Sequence, residues 1–156
     1  MKIKIGGLVE NRDLTLYRLT TVYDEPGAAG EILQAFAENK VNLEYLTESS
    51  TVKGFAVMAI CVNIQMAAII DRIFYSEKKY AETLNIKKEE HVSVIGIYGP
   101  HFKEKPQLAA KFCQILGKAG INILGLSSSI SSISAVIAND ELEDARDALL
   151  KVFELP

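Results

Sequence analysis

The residues best suited to bind a charged molecule stand at the start of a predicted helix, in the sequence DEPGAA at residues 24–29. A helix over about residues 27–38 leaves its first backbone N–H groups unpaired at the positive end of the helix dipole, where a carboxylate can bind. Those N–H groups belong to Gly27, Ala28 and Ala29. The nearest carboxylates able to accept hydrogen bonds from an ammonium group are those of Asp24, Glu25 and Glu44.

Both features also have a purely structural interpretation. Asp-Glu-Pro-Gly is a common turn composition, because proline fixes φ and glycine permits conformations closed to other residues. Glu44 can equally be a solvated strand residue.

Catalytic chemistry has little support in the sequence. The histidines, His91 and His101, stand at no metal-ligand spacing from a cysteine or from each other. No GxSxG elbow and no GxxxxGK phosphate loop is present. Cys61 and Cys113 lie in apolar periodic segments without CxxC spacing, which predicts buried free thiols. We therefore expect no catalytic residue, metal or cofactor.

An internal duplication must position the candidate residues. A shift of 80 positions aligns identical residues without a gap: Pro26 with Pro106, Ala29 with Ala109, Gln34 with Gln114, Asn42 with Asn122 and Leu46 with Leu126. A helical apolar stripe recurs as well, at positions 29, 32, 33 and 36 and at 109, 112, 113 and 116. Gly120 follows the second stripe and predicts a helix end in the left-handed conformation. The chain therefore contains two copies of one structural unit.

Each copy is predicted to have the element order β, α, β, β, α. Strands are expected at residues 2–8, 14–22, 41–47, 55–62, 83–86, 92–97, 121–126 and 133–137. Asn63 predicts the N-cap of a second helix, and Asn139-Asp140 with Glu143 predicts a capping box before the last one. This order is typical of an α+β, ferredoxin-like βαββαβ fold, with both helices on one face of an antiparallel sheet.

The boundary between the copies is predicted in the Lys- and Glu-rich stretch at residues 75–90. We assign residues 10–88 to the first unit and residues 89–156 to the second, and expect the units to pack side by side. The second unit lacks a downstream fourth strand, which the N-terminal strand at residues 2–8 can supply.

Composition excludes several classes of function. Hydrophobic residues make up 49% of the chain and charged residues 24%, the balance of a folded protein. The net charge of −3 and the absence of a basic cluster argue against nucleic-acid binding. No apolar run is long enough for a membrane span or a signal peptide, so we expect no membrane partner and a cytoplasmic location.

Two stretches resemble a known family. The sequence DEPGAAGEILQAFAENKVNLEYL resembles the ACT-domain pattern of a loop ending in Asp-x-Pro-Gly, a helix, and a strand that begins with a branched residue and Asn. VSVIGIYGP and AGINILGLSSSISSISAVI resemble the last ACT domain of aspartate kinases. The resemblance covers roughly residues 10–156. It implies two ACT units that bind a free amino acid, lysine or threonine, and pass the signal to a catalytic partner such as a kinase domain.

The resemblance also implies which residues surround the amino acid. In the family the ligand lies between the loop and the following strand, or against a strand of a neighbouring unit. Carried over, this adds Leu43, Glu44, Ser49 and Ser50 in the first unit and Asn122, Ile123, Ser127, Ser128 and Ser129 in the second. The second unit departs from the pattern at Gln107 and Leu124, so we expect the first loop to carry the binding. The serine run can equally be a solvated hairpin end.

The sheet edges of the two units bear on how the chain assembles. ACT units expose sheet edges that would otherwise invite aggregation, so we expect a homodimer. The alternatives are a small ferredoxin-like enzyme of the acylphosphatase type or an assembly domain without a ligand. Acylphosphatase chemistry needs an arginine in the loop after the first strand, and that loop is acidic here.

Overall fold

The chain divides into two compact units, each with its own hydrophobic core. The computed structural model describes residues 1–21, 25–51, 53–100 and 102–156. The first unit is Leu14–Glu90, and the second unit joins Met1–Asp13 to His91–Pro156. The predicted α+β fold with two units is confirmed, and the first unit is inserted in the sequence of the second.

The described part of the chain contains eight strands, five α-helices and three short 3-10 helices. In chain order they are β1 (Ile3–Lys4), β2 (Gly7–Thr21), α1 (Ala28–Glu38), β3 (Tyr45–Ser50), β4 (Ala56–Asn63), a 3-10 helix (Ile64–Met66), α2 (Ala67–Ser76), α3 (Lys78–Thr83), β5 (Leu84–Tyr98), a 3-10 helix (Phe102–Glu104), α4 (Leu108–Lys118), β6 (Gly125–Ser128), β7 (Ser132–Ala138), a 3-10 helix (Asn139–Glu141), α5 (Leu142–Leu150) and β8 (Phe153–Glu154).

The first unit places its strands in the order β3-β4-β2-β5, with β4 antiparallel to both β3 and β2. Alternate residues of β2 and β4 face the helices, because side chains alternate between the faces of a strand. The Phe74 ring of α2 lies at the centre of this core, with its centroid 5.7 Å from that of Phe36, 5.9 Å from that of Tyr80 and 6.3 Å from that of Tyr17. The predicted N-cap Asn63 is confirmed, since its side chain accepts a hydrogen bond from the N–H of Gln65 at 2.9 Å.

The second unit places its strands in the order β2-β5-β7-β6 and uses the N-terminal residues, although not as predicted. The expected strand at residues 2–8 is broken. Its first part, β1, pairs in parallel with β8 in a separate two-stranded sheet, and β2 begins at Gly7. The fourth strand of the unit is therefore residues 7–13 of β2, while Ile5 is buried in the core of the second unit.

Four other predictions need correction. The strand predicted at 41–47 begins at Tyr45 and continues to Ser50, and the strand predicted at 121–126 is likewise displaced to Gly125–Ser128. The strands predicted at 83–86 and 92–97 form one strand, β5. The predicted capping box is absent, because α5 begins without a side-chain cap. The Oδ1 atom of Asn139 instead accepts hydrogen bonds from the N–H of Asp13 at 3.0 Å and from the Ser93 hydroxyl, so tertiary contacts replace the local cap.

The duplication extends to the ends of α1 and α4. Gly120 has a φ of 76°, as predicted, and the next N–H, of Ile121, donates to Leu116 O at 3.0 Å. The equivalent residue after α1 is Lys40, with a φ of 57°, followed by the N–H of Val41 donating to Phe36 O at 2.9 Å. A lysine in this left-handed conformation is strained in a way that glycine is not.

We expect Lys40→Gly to stabilise the first unit by about 1 kcal/mol, because glycine removes the left-handed strain at an exposed position. Gly120→Ala makes the opposite change at the equivalent position of the other copy, and it is expected to destabilise the second unit by about 1 kcal/mol. Urea denaturation of both variants measures the two free energies of unfolding. Equal denaturation midpoints for Lys40→Gly and the parent would show that Lys40 is not strained.

Candidate functional site

A cavity of about 310 Å³ lies beside the start of α1 in the first unit. Its floor is apolar and includes the buried core residues Leu19, Ile32 and Met58. Its polar and small lining residues are Thr21, Glu25, Gly27, Ala28, Ala29, Glu48, Ser50 and Ala56. We call it the α1 cavity. Its volume is at the low end of the range for small-molecule sites, which suits a ligand of amino-acid size.

Free backbone donors are present at the start of α1. Gly27 precedes the helix with a φ of 87°, and no side chain caps the first turn. The N–H of Ala28 donates to Glu25 O at 3.1 Å and so closes the turn. Among the residues that the structure describes, none accepts a hydrogen bond from the N–H of Ala29 or of Gly30. Of the predicted donors, the N–H of Ala28 is used by the turn and that of Ala29 is free, while the N–H of Gly30 is a further free donor that the sequence did not predict.

Small residues keep this backbone accessible. A Cβ atom added at Gly27 or at Gly30 would meet no atom within 4 Å, so the space beside both residues is open. Ala28 and Ala29 are only half-buried. A ligand can therefore approach the backbone at the positive end of the helix dipole.

Two carboxylates line the α1 cavity, and one of them was not predicted. Glu25 lies in the turn before α1, as predicted, and Glu48 lies on β3, opposite Met58 of β4. Glu44 is exposed and does not line the cavity. Its backbone N–H donates to Cys61 O at 2.9 Å. Asp24 lies outside the described residues. The acid that faces this space together with Glu25 is therefore Glu48.

Of the other residues predicted in the first unit, one lines the α1 cavity and two do not. Ser50 lines the cavity and lies on the same face of β3 as Glu48. Ser49 lies between them on the strand and does not line the cavity. Leu43 packs against the core of the first unit, where it supports the fold.

The predicted residues of the second unit have mainly structural surroundings. Asn122 is exposed, and Ile123 packs against the core of the second unit. Ser127 and Ser128 belong to β6. The hydroxyl of Ser129 accepts hydrogen bonds from the N–H groups of Ser131 at 3.3 Å and Ser132 at 3.1 Å, which holds the hairpin turn before β7.

The start of α4 repeats the backbone of α1 with different side chains. The N–H of Leu108 donates to Lys105 O at 3.1 Å, as that of Ala28 does to Glu25 O. Leu108 stands where the first unit has Ala28, and its side chain is buried in the core of the second unit. The space that Ala28 leaves open is thus filled in the second unit.

The two cysteines are free thiols in different surroundings. Burial raises the pKa of the Cys61 thiol to about 12, so this thiol stays protonated and is a poor nucleophile. Cys113, predicted to be buried, is partly exposed on α4. The residues described here contain no cluster of three or more metal-binding side chains. No described helix has both the length and the apolar character needed to cross a membrane.

Comparisons with known proteins place the two units in one class. The ACT-domain family matches residues 17–73, and a second ACT-domain model matches residues 95–153. The chain belongs to the ACT-domain family and carries two ACT domains, which confirms the resemblance inferred from the sequence. ACT domains are regulatory, and the matched residues include no kinase catalytic domain.

Within that class the chain is similar to the regulatory region of aspartate kinase. The aspartokinase of Mycolicibacterium smegmatis is 27% identical over an alignment of 156 positions that covers 97% of this chain. The chain spans 36% of the length of that protein and of the related corynebacterial aspartokinases.

Solved structures share the fold. The regulatory subunit of aspartate kinase from Thermus thermophilus has a TM-score of 0.83 at 23% identity, covering 96% of this chain and 99% of that one. Aspartokinase III of E. coli, crystallised in complex with lysine and aspartate, has a TM-score of 0.67 at 13% identity and covers 96% of this chain and 33% of that one. At these identities the likeness establishes the fold alone.

Proposed function

We propose that this protein is an amino-acid sensor: it binds free lysine or threonine in the α1 cavity and thereby regulates an aspartate kinase catalytic partner. The observation that carries the proposal is the α1 cavity itself, which combines unpaired N–H groups at a helix start with two carboxylates. An amino acid is a zwitterion, so its receptor needs donors for the carboxylate and acceptors for the ammonium group. The cavity supplies both in one unit.

The charges of the cavity favour lysine over threonine. Its charged lining residues within the described chain are Glu25 and Glu48, both acidic. The helix start can bind the α-carboxylate of the ligand. Two carboxylates then remain for two ammonium groups, which lysine carries and threonine does not. The E. coli aspartokinase III crystallised with lysine is consistent with this choice of effector.

The sensor is proposed to act by its difference in affinity between two states of the protein, since a ligand with equal affinity for both shifts nothing. We propose that it does so as a cytoplasmic homodimer. The outer strands β3 and β6 are sheet edges through which copies can pair. Sedimentation velocity of the purified chain tests the dimer.

Calorimetric titration with each of the twenty amino acids tests the proposed function. We expect lysine to bind and Glu48→Gln to weaken it about tenfold, or about 1.4 kcal/mol, through loss of one charge-assisted hydrogen bond. Glu44→Gln is the matched control, since it removes the same charge from an acid outside the cavity lining. We expect this variant to bind lysine as the parent does.

Two results of the calorimetric titration would contradict the proposed site. If no amino acid binds at millimolar concentration, the sensor proposal is wrong and an assembly domain without a ligand is the better account. If Glu44→Gln weakens binding and Glu48→Gln does not, the site lies along the first residues after α1 and not in the α1 cavity.

A further inference from the structure

A second groove, in the second unit, is independent of the amino-acid site. It has a volume of about 550 Å³ and lies between the N-terminal strand β1 and the start of α4. Its apolar lining includes Ile3, Pro106 and Leu108. Its charged lining consists of four lysines and one acid, so the groove has a net positive charge: Lys2, Lys4, Lys105, Lys111 and Glu154. We call it the β1 groove.

The groove has the opposite charge to the equivalent place in the first unit. The shift of 80 positions aligns Lys105 with Glu25 and Lys111 with Glu31. In the first unit Glu31 forms an ion pair with Lys79 of α3, so a segment of the same unit neutralises that charge. In the second unit, no carboxylate of the described residues forms an ion pair with Lys105 or Lys111. Both lysines are exposed and therefore accessible to an acidic ligand.

One wall of the groove is also an open strand edge. Within the described part of the chain, the sheet that contains β1 consists of β1 and β8. The N–H groups of Ile3 and Ile5 donate to Val152 O at 2.9 Å and Glu154 O at 3.0 Å. The N–H of Lys4, between them, points to the opposite side of the strand, because backbone donors alternate along a strand. An extended segment lying along β1 can pair with it.

We propose that the β1 groove is a docking site for an extended peptide segment of a partner protein in which acidic and apolar residues alternate. Apolar side chains on one face of the segment cover Ile3, Pro106 and Leu108. Acidic side chains pair with Lys4, Lys105 and Lys111, while the backbone adds a strand to β1. The whole chain carries a net charge of −3, which repels acidic segments from the protein as a whole. The local excess of lysine attracts such segments to the β1 groove.

Fluorescence anisotropy with the full chain tests the proposal. The probe is a short fluorescein-labelled peptide of alternating valine and glutamate. We expect it to bind and the double variant Lys105→Glu/Lys111→Glu to weaken binding by roughly tenfold or more. This variant should fold, because the first unit carries glutamate at both equivalent positions, Glu25 and Glu31. Lys53→Glu/Lys87→Glu makes the same change in charge at exposed lysines of the first unit and should bind like the parent.

Two further probes examine the strand pairing and the class of partner. A version of the peptide with alternate backbone amides methylated should lose binding, because it cannot pair with β1. Vesicles containing phosphatidylglycerol should not displace the peptide. Equal binding of the methylated peptide, displacement by vesicles, or unchanged binding to Lys105→Glu/Lys111→Glu would each overturn the proposal. None of these results bears on lysine binding in the first unit, so the two proposals can fail separately.

Discussion

Replacing Ala28 by leucine is expected to abolish amino-acid binding while leaving the fold intact. Ala28 is the first residue of α1, lines the α1 cavity and is half-buried. A leucine side chain there would occupy the cavity and cover the free N–H groups, so affinity for lysine should fall by roughly a hundredfold or more. The fold should tolerate the change, because the second unit has Leu108 at the equivalent position with the same backbone hydrogen bond.

The control for Ala28→Leu is Ala37→Leu, the same substitution at an exposed position of α1 that does not line the α1 cavity. Ala37→Leu should therefore keep both the affinity of the parent and the helix, because leucine is a good helix former. Calorimetry measures both affinities, with thermal unfolding to confirm folding. Parent-like binding by a folded Ala28→Leu variant would place the ligand elsewhere.

Deleting the first eight residues is expected to unfold the second unit selectively. The deletion removes Ile5, which is 6% exposed in the core of that unit, and Ile3 and Leu8, which pack against it. It also removes the hydrogen bond from Lys2 Nζ to Leu150 O at the end of α5. The lost apolar burial alone corresponds to roughly 4 kcal/mol, a large share of the stability of a small domain.

Hydrogen–deuterium exchange locates the effect of the deletion. Helices α4 and α5 should lose protection, whereas α1 and α2 of the first unit should keep most of it. Val9→Ala serves as a control, since Val9 is an exposed residue of the same N-terminal segment and should change neither pattern. Equal loss of protection in both units, or no loss in α4 and α5, would contradict the assignment of the N-terminal residues to the second unit.

Helix positions could be predicted because their packing leaves a regular signal. Phe36 and Phe112 lie on the repeated apolar stripes, and both are almost completely buried. Strand lengths were harder to predict. Residues 9–13 of β2 and 87–91 of β5 are mostly exposed and polar, so no alternation of apolar residues marks them as strand. The pairing of β2 with β5 and ion pairs such as Arg18–Glu89 hold these segments, and neither leaves a periodic pattern in the sequence.

The position of the turn in the candidate site could be predicted from the sequence, but the acid on the facing strand could not. The turn before α1 has a local signature in Pro26 and Gly27, and the structure places both beside α1 as expected. The acid on the facing strand depends on where β3 starts. Because residues 41–44 precede the strand, the acid beside the cavity is Glu48 and not Glu44, a shift of about 13 Å along an extended chain. Sequence periodicity alone does not set that start.

The most direct test of the account is a titration of the isotopically labelled protein with lysine, followed by amide resonances in nuclear magnetic resonance spectra. The account predicts that the amide protons of Ala29 and Gly30 move downfield at saturation, because their free N–H groups bind the carboxylate of lysine. The amides of Leu108 and Ala109, at the equivalent place in the second unit, should not move. Unchanged Ala29 and Gly30 resonances at saturating lysine, or shifts confined to the second unit, would contradict it.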